Sequence, residues 1–157
     1  MEAPNRSNGI SQTVRRGGMP TSASSRSSWQ AGAHVPRPPQ SRGRTAPGRG
    51  VPDVAAKANF GPGYDVRVAG IDGPLGGGTS AAAPLWAALT ARLNEGLGAR
   101  CGHVTPLLYA RRLRGTTRDI VKGSNGAFKA RPGWDACTGW GSPRGRRLMA
   151  ALQGRRS

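Results

Sequence analysis

Acidic side chains are scarce in this 157-residue chain: seven Asp and Glu stand against 24 Lys and Arg, a formal charge of +17. The seven are Glu2, Asp53, Asp65, Asp72, Glu95, Asp119 and Asp135, and the only histidines are His34 and His103. Any acid–base chemistry draws on these nine residues. Cysteine is scarcer still. Cys101 and Cys137 allow one internal disulfide at most, which excludes a disulfide scaffold; they either pair or remain thiols. No window approaches ~20 apolar residues, so no membrane-spanning helix is expected. No heptad pattern survives the glycines, which excludes a long coiled coil. The polar N-terminus has no apolar core of the kind a secretory signal needs.

Glycine and proline are abundant, at 25 and 13 residues. With apolar residues at only 36%, they argue against one compact core over the whole length. Residues 1–50 hold eight arginines, one acid and scattered apolar residues without a period of 2 or 3.6. Residues 1–48 are therefore expected to be a mostly disordered basic segment, and 49–154 the folded part.

From Val51 the pattern sharpens. The run Val51–Ala56 reads as a strand, Gly61-Pro62-Gly63 as a turn, and the alternation of Tyr64, Val66 and Val68 with Asp65 and Arg67 as a half-buried strand. Gly70–Pro74 reads as the next turn. Ala82, Leu85, Trp86, Leu89, Leu93 and Leu97 recur at steps of 3 and 4, which predicts a helix after Ser80 ending near Gly96 and Gly98. Shorter helices are expected over 106–113 and 142–153, the latter capped by Ser142, with Gly-punctuated loop between them.

The turn Gly76-Gly77-Gly78-Thr79-Ser80 lies where that helix begins. Glycines permit close backbone approach and positive φ, and a helix start offers free N–H donors to negative charge. Phosphate binding and a nucleophilic serine beside an oxyanion both use this arrangement. Gly73 and Gly78 have P-loop spacing, but Thr79 occupies the lysine position, which removes the phosphate reading. A plain N-cap role for Ser80 remains the alternative to a nucleophile.

Gly77-Gly78-Thr79-Ser80-Ala81-Ala82-Ala83-Pro84-Leu85-Trp86 resembles the nucleophile segment of the sedolisins, the kumamolisin-like serine-carboxyl peptidases. Gly50–Ala56 resembles the strand upstream of it. Asp119-Ile120 and Pro132–Pro143 resemble the family's calcium loop, and Arg26-Ser27-Ser28-Trp29-Gln30 is similar to a further family segment. The resemblance spans roughly 26–154. It implies an α/β chain, the C-terminal portion of a subtilisin-like parallel-sheet fold, and a calcium-dependent serine endopeptidase acting at acidic pH on polypeptides. Ser80 would be the nucleophile. Calcium would take carboxylates from Asp119 and Asp135 and carbonyls from Ile120, Arg131 and Gly133, with Arg131 at a position where the family has glycine.

The same resemblance exposes a gap. Sedolisins activate serine with a glutamate oriented by an aspartate, and a protonated aspartate supports the oxyanion. All three precede the Val-Pro-Asp-Val strand, and no residue of this chain matches them. Cleavage is therefore expected only if the missing half is supplied, and none from the chain alone. His103 or His34 could serve as a base only by chance placement. Trp86, Trp134 and Trp140 read as core aromatics. Family members are usually secreted. The arginine-rich composition keeps open a basic nucleic-acid or polyanion-binding protein, and a non-catalytic partner of an intact peptidase is a third reading.

Overall fold

A computed structural model describes residues 27–36, 48–58, 63–75 and 77–154. Among them lie three helices, α1 (Thr79–Leu97), α2 (Val104–Tyr109) and α3 (Gly145–Gln153), and four short strands. Strand β1 (Tyr64–Val68) pairs antiparallel with β2 (Ile71–Leu75), and β3 (Thr117–Arg118) with β4 (Ser142–Pro143).

Helix α1 forms where the 3–4 spacing predicts it. Trp86, Leu89, Leu93 and Leu97 turn inward, and Leu93 joins Leu108, Leu113, Leu148 and Leu152 in the buried core. The helix ends at Gly98, whose φ of 60° lets its N–H reach back to the carbonyls of Asn94 and Glu95. Pro84 falls in the second turn, where it has no N–H to give the carbonyl of Ser80. Helix α3 presents Leu148 and Leu152 to the core and leaves Arg146 and Arg147 exposed.

Several expectations are corrected. The reversal expected at Gly70–Pro74 occurs at Ala69–Gly70, and Ile71–Leu75 is a strand. Both turn residues have positive φ, 52° and 82°, the combination that suits the twist of a two-residue hairpin turn. Ser142 does not cap α3: it lies in β4, and Arg144 precedes the helix.

The parallel sheet is not present among the described residues, whose strand pairs are antiparallel. Val51–Ala56 forms no strand, because its backbone groups are engaged elsewhere. Asp53 O accepts from Trp140 N and Ala55 N donates to Gly141 O, both at 2.9 Å. Ala55 O accepts from the Trp86 indole at 3.2 Å, and Pro52 has no N–H to offer.

The expected disorder of residues 1–26 and 37–47 lies outside the described residues. Residues 27–36 belong to the folded part, ahead of the boundary expected at 49. Ser28–Gln30 is a 3-10 turn, and Gln30 is fully buried. Its amide donates to Gly50 O at 2.9 Å and to the Tyr109 hydroxyl at 2.8 Å, while Gly50 N donates to its carbonyl oxygen at 2.9 Å. Tyr109 in turn donates to Asp53, which also pairs with Arg49. Burial pushes the Tyr109 phenol well above its ordinary value.

Candidate functional site: a serine turn and an oxygen-lined loop

Gly78 precedes α1 with φ at 114°, a conformation closed to L side chains, and its N–H donates to Ala58 O at 2.7 Å. A Cβ there would lie 3.3 Å from Ser80 Oγ, so the bare glycine leaves room above the hydroxyl. Gly78 O takes the N–H groups of Ala81 and Ala82 at 3.1 and 3.2 Å. Ser80 is the second residue of the helix and exposed, not its N-cap. No acceptor among the described residues takes the N–H of Thr79 or Ser80, or the Ser80 hydroxyl. The turn therefore presents a free hydroxyl beside two free N–H donors at the positive end of a helix dipole.

No base among the described residues meets this hydroxyl. Among the described residues, Asp53 is held by Arg49 and Tyr109, Asp72 lies 3.6 Å from Arg67, and Glu95 lies 3.4 Å from Arg92. His103 precedes α2 with its ring edge-on to Trp29. His34 is exposed, and its carbonyl accepts from Arg131 at 3.1 Å. Neither histidine serves Ser80.

The second feature is the loop from Asp119 to Gly141. Asp135 is 1% exposed, and its carboxylate is met by loop donors. Oδ1 accepts the N–H of Cys137 at 2.8 Å and of Thr138 at 2.7 Å, and Oδ2 accepts that of Arg131 at 3.0 Å. The Thr138 hydroxyl lies 3.3 Å from both oxygens. Such charge-assisted bonds offset the cost of burying a carboxylate. The buried thiol of Cys137 is pushed up, first by burial and then by the Asp135 charge. Asp119 Oδ2 accepts Gly133 N at 2.7 Å, so both carboxylates clasp the 131–133 backbone. Gly133 has φ 82°, whereas Arg131, at the position where glycine was expected, has no positive φ and sends its guanidinium outward to His34.

The donor chemistry of this loop suits a hard cation. Asp119 and Asp135 supply carboxylates, and Ile120, Arg131 and Gly133 carry carbonyls. The carbonyls of Arg131 and Gly133 accept no hydrogen bond among the described residues, and Ile120 O meets only the Thr138 hydroxyl, at 3.4 Å. No three His, Cys, Asp or Glu side chains cluster among the described residues, so backbone oxygens would have to complete a shell.

Two elements escaped sequence reasoning. Thr138 supports Asp135, and the signal was present in Asp-x-x-Thr, a turn in which the aspartate accepts the following N–H groups. The Gln30–Gly50–Tyr109–Asp53 network had no local signal.

These features define an α/β chain with a helix-start serine and an oxygen-lined loop. The chain superposes on Pseudomonas sedolisin, a serine-carboxyl proteinase solved with two molecules of pseudo-iodotyrostatin, at a TM-score of 0.68 and 28% identity, over 85% of this chain and 35% of that one. It is 46% identical to kumamolisin of Bacillus sp. (strain MN-32) over 131 residues, 80% of this chain and 23% of that protein. Tripeptidyl-peptidase 1 of Canis lupus familiaris is 34% identical over 132 residues, 74% of this chain and 23% of the relative. No protein-family model matches the chain. Over the matched part the chain belongs to the sedolisin family and is kumamolisin-like. It spans under a quarter of the length of these curated relatives.

Proposed function

We propose that residues 49–154 are the nucleophile-and-calcium portion of a sedolisin-type serine endopeptidase domain, with Ser80 as nucleophile and polypeptides as substrates. The observation that carries this reading is the Ser80 turn itself: an exposed hydroxyl, a Gly78 without a side chain in front of it, and free N–H groups at a helix start, within a segment related to kumamolisin. In the reaction a carboxylate base removes the Ser80 proton, Oγ attacks the scissile carbonyl carbon, and the oxyanion is met by the helix-start N–H donors. Asp119, Asp135 and the carbonyls of Ile120, Arg131 and Gly133 would hold calcium, which when bound would supply fixed positive charge that orders the loop.

No base meets Ser80 among the described residues, and no cleavage is expected from this chain unless the remainder of the domain is supplied. Loss of triad members elsewhere costs up to about a million-fold. The carboxylates and the parallel strands belong to the portion of the domain that this chain does not match. Helix α1 is consistent with that portion lying against it. From Thr79 to Ala91 it has no ionisable side chain, and Ala83, Pro84, Ala87, Ala88 and Ala91, in line with Ser80, are exposed. A helix apolar on all sides belongs in an interior.

The test is a chimera in which residues 49–154 replace the matched segment of kumamolisin. Cleavage of an unfolded protein at acidic pH, abolished by Ser80→Ala, is the expected result. A folded chimera that is inactive, or whose activity survives Ser80→Ala, would overturn the assignment.

A further inference from the structure

The segment Val51–Ala58 lies between the two halves of the site and is bonded to both. On one side it holds the oxygen-lined loop. The Trp134 indole donates to Pro52 O at 3.0 Å, Trp140 N to Asp53 O at 2.9 Å, and Ala55 N to Gly141 O at 2.9 Å. Gly139 packs so tightly on the Asp53 carbonyl that a Cβ there would collide with it. On the other side it holds the serine turn. Gly78 N donates to Ala58 O at 2.7 Å, and the Trp86 indole donates to Ala55 O at 3.2 Å. Ala55 thus gives its N–H to the loop and its carbonyl to the helix that carries Ser80.

Among the described residues, no hydrogen bond joins the Asp119–Gly141 loop directly to the Gly77–Trp86 turn. The hydrogen-bonded route between them is this segment, which meets the turn ahead of α1 at the Gly78 N–H and the body of α1 at the Trp86 N–H. The latter contact is six residues from Ser80, on the face opposite the exposed alanines. It fixes the first turns of α1 against a segment whose other side is held by the loop.

We infer that Trp86 is a positioning residue for Ser80, and that its indole N–H carries the order of the Asp119–Gly141 loop, through Ala55, to the nucleophile turn. This rests on the calcium reading of the loop. Two positions are in play, the segment docked on both partners or released from one. A cation at Asp119 and Asp135 favours the docked position by stiffening the loop, and linkage makes the coupling reciprocal.

The experiment is hydrogen exchange, read by mass spectrometry on the full 157-residue chain with and without calcium chloride. In the wild type, calcium slows exchange in peptides covering 117–141 and also in those covering 77–86, the latter by about 5-fold or more, the lower end of typical coupling. Trp86→Phe keeps an aromatic ring and removes the N–H. It retains the calcium response at 117–141 and loses most of it at 77–86, the Gly78–Ala58 bond remaining. Trp140→Phe is the control, because that indole N–H bonds nothing among the described residues and its removal leaves the transmitted response intact.

A wild type protected at 117–141 but unchanged at 77–86 overturns the inference while sparing the calcium reading. So does a Trp86→Phe chain that still transmits the full response. Absence of any response at 117–141 removes the calcium reading and the inference with it. If the variant does not fold, exchange of the Trp86 indole N–H itself, read by NMR on the wild type with and without calcium chloride, decides: slowed exchange with calcium is expected, and an unchanged rate overturns the inference.

Discussion

Replacing Gln30 with leucine tests whether residues 27–36 are integral to the fold. The amide is fully buried and makes three hydrogen bonds, two to Gly50 and one to Tyr109. Leucine has similar bulk and makes none. The Tyr109 hydroxyl keeps Asp53 as acceptor, so its loss is small. Gly50 fares worse, because its N–H and its carbonyl are both stranded in a buried position. At about 1–3 kcal/mol for each unsatisfied buried group, the direct cost is about 2–6 kcal/mol. The added apolar burial returns about 1–2 kcal/mol. At the middle of both ranges, about 4 less about 1.5, the net loss is about 2.5 kcal/mol. Urea unfolding monitored by tryptophan fluorescence measures it: with a slope of about 2 kcal/mol per molar, the midpoint falls by about 1–2 M. Ser28→Ala, at an exposed position of the same turn, changes stability by less than about 0.5 kcal/mol. A Gln30→Leu midpoint equal to wild type would refute the docking of this segment on Gly50.

Gly50→Ala destabilises by about 1–3 kcal/mol in the same assay, since its Cβ would lie 2.7 Å from the Trp134 ring and 2.8 Å from Val35. Ala69→Gly stabilises by up to about 1 kcal/mol, because alanine occupies a left-handed turn position at φ 52°. Stability falls as pH rises above the ordinary tyrosine value of 10.0: the folded-state Tyr109 pKa is raised, so the unfolded chain loses its proton first, and the contribution present below that value is lost on the alkaline side. Tyr109→Phe flattens that limb in pH-dependent urea titrations. In calorimetry the proposed site gives a calcium-binding heat with the wild-type chain and none with Asp135→Asn; equal heats from both would sink the assignment of Asp135.

Much of α1 was legible because leucine and tryptophan at steps of 3 and 4 allow one reading, and Gly98 marks its end. The alternation in 64–68 was legible for the same reason. The second strand of that hairpin was not. Gly73 and Pro74 look like turn punctuation, yet they stand in β2 opposite Val66 and Asp65, and the reversal uses an alanine that turn chemistry seldom selects. Val51–Ala56 has strand composition, but composition cannot say which partner takes the backbone. Here the partners lie more than 30 and 80 positions away, at Trp86 and at Trp140 and Gly141. Gln30, Tyr109 and Asp53 met the same barrier, being brought together only by tertiary packing. The roles proposed for Ser80, Asp119 and Asp135 come from the family resemblance, since a lone serine or aspartate displays no property that assigns them.

The shortage of acids that marks the sequence also frames the chemistry of Ser80. Each described Asp, Glu and His has a place that does not include the Ser80 hydroxyl. Asp53 ties Arg49 to Tyr109, Asp72 and Glu95 meet surface arginines, and Asp119 and Asp135 clasp their own loop. Asp65 is exposed on β1, His103 meets Trp29 edge-on, and His34 lies against Arg131 through its carbonyl. Recruiting Asp53, Asp119 or Asp135 as a base would give up contacts that hold the Val51–Ala58 segment or the 119–141 loop. The placement of Ser80, by contrast, is complete: Gly78 on Ala58, Trp86 on Ala55, and the helix dipole behind it. Position and activation are thus separable in this chain. Ser80→Ala should leave urea stability within about 0.5 kcal/mol of wild type, since an exposed hydroxyl without a partner contributes little. A larger change would show that Ser80 serves the fold.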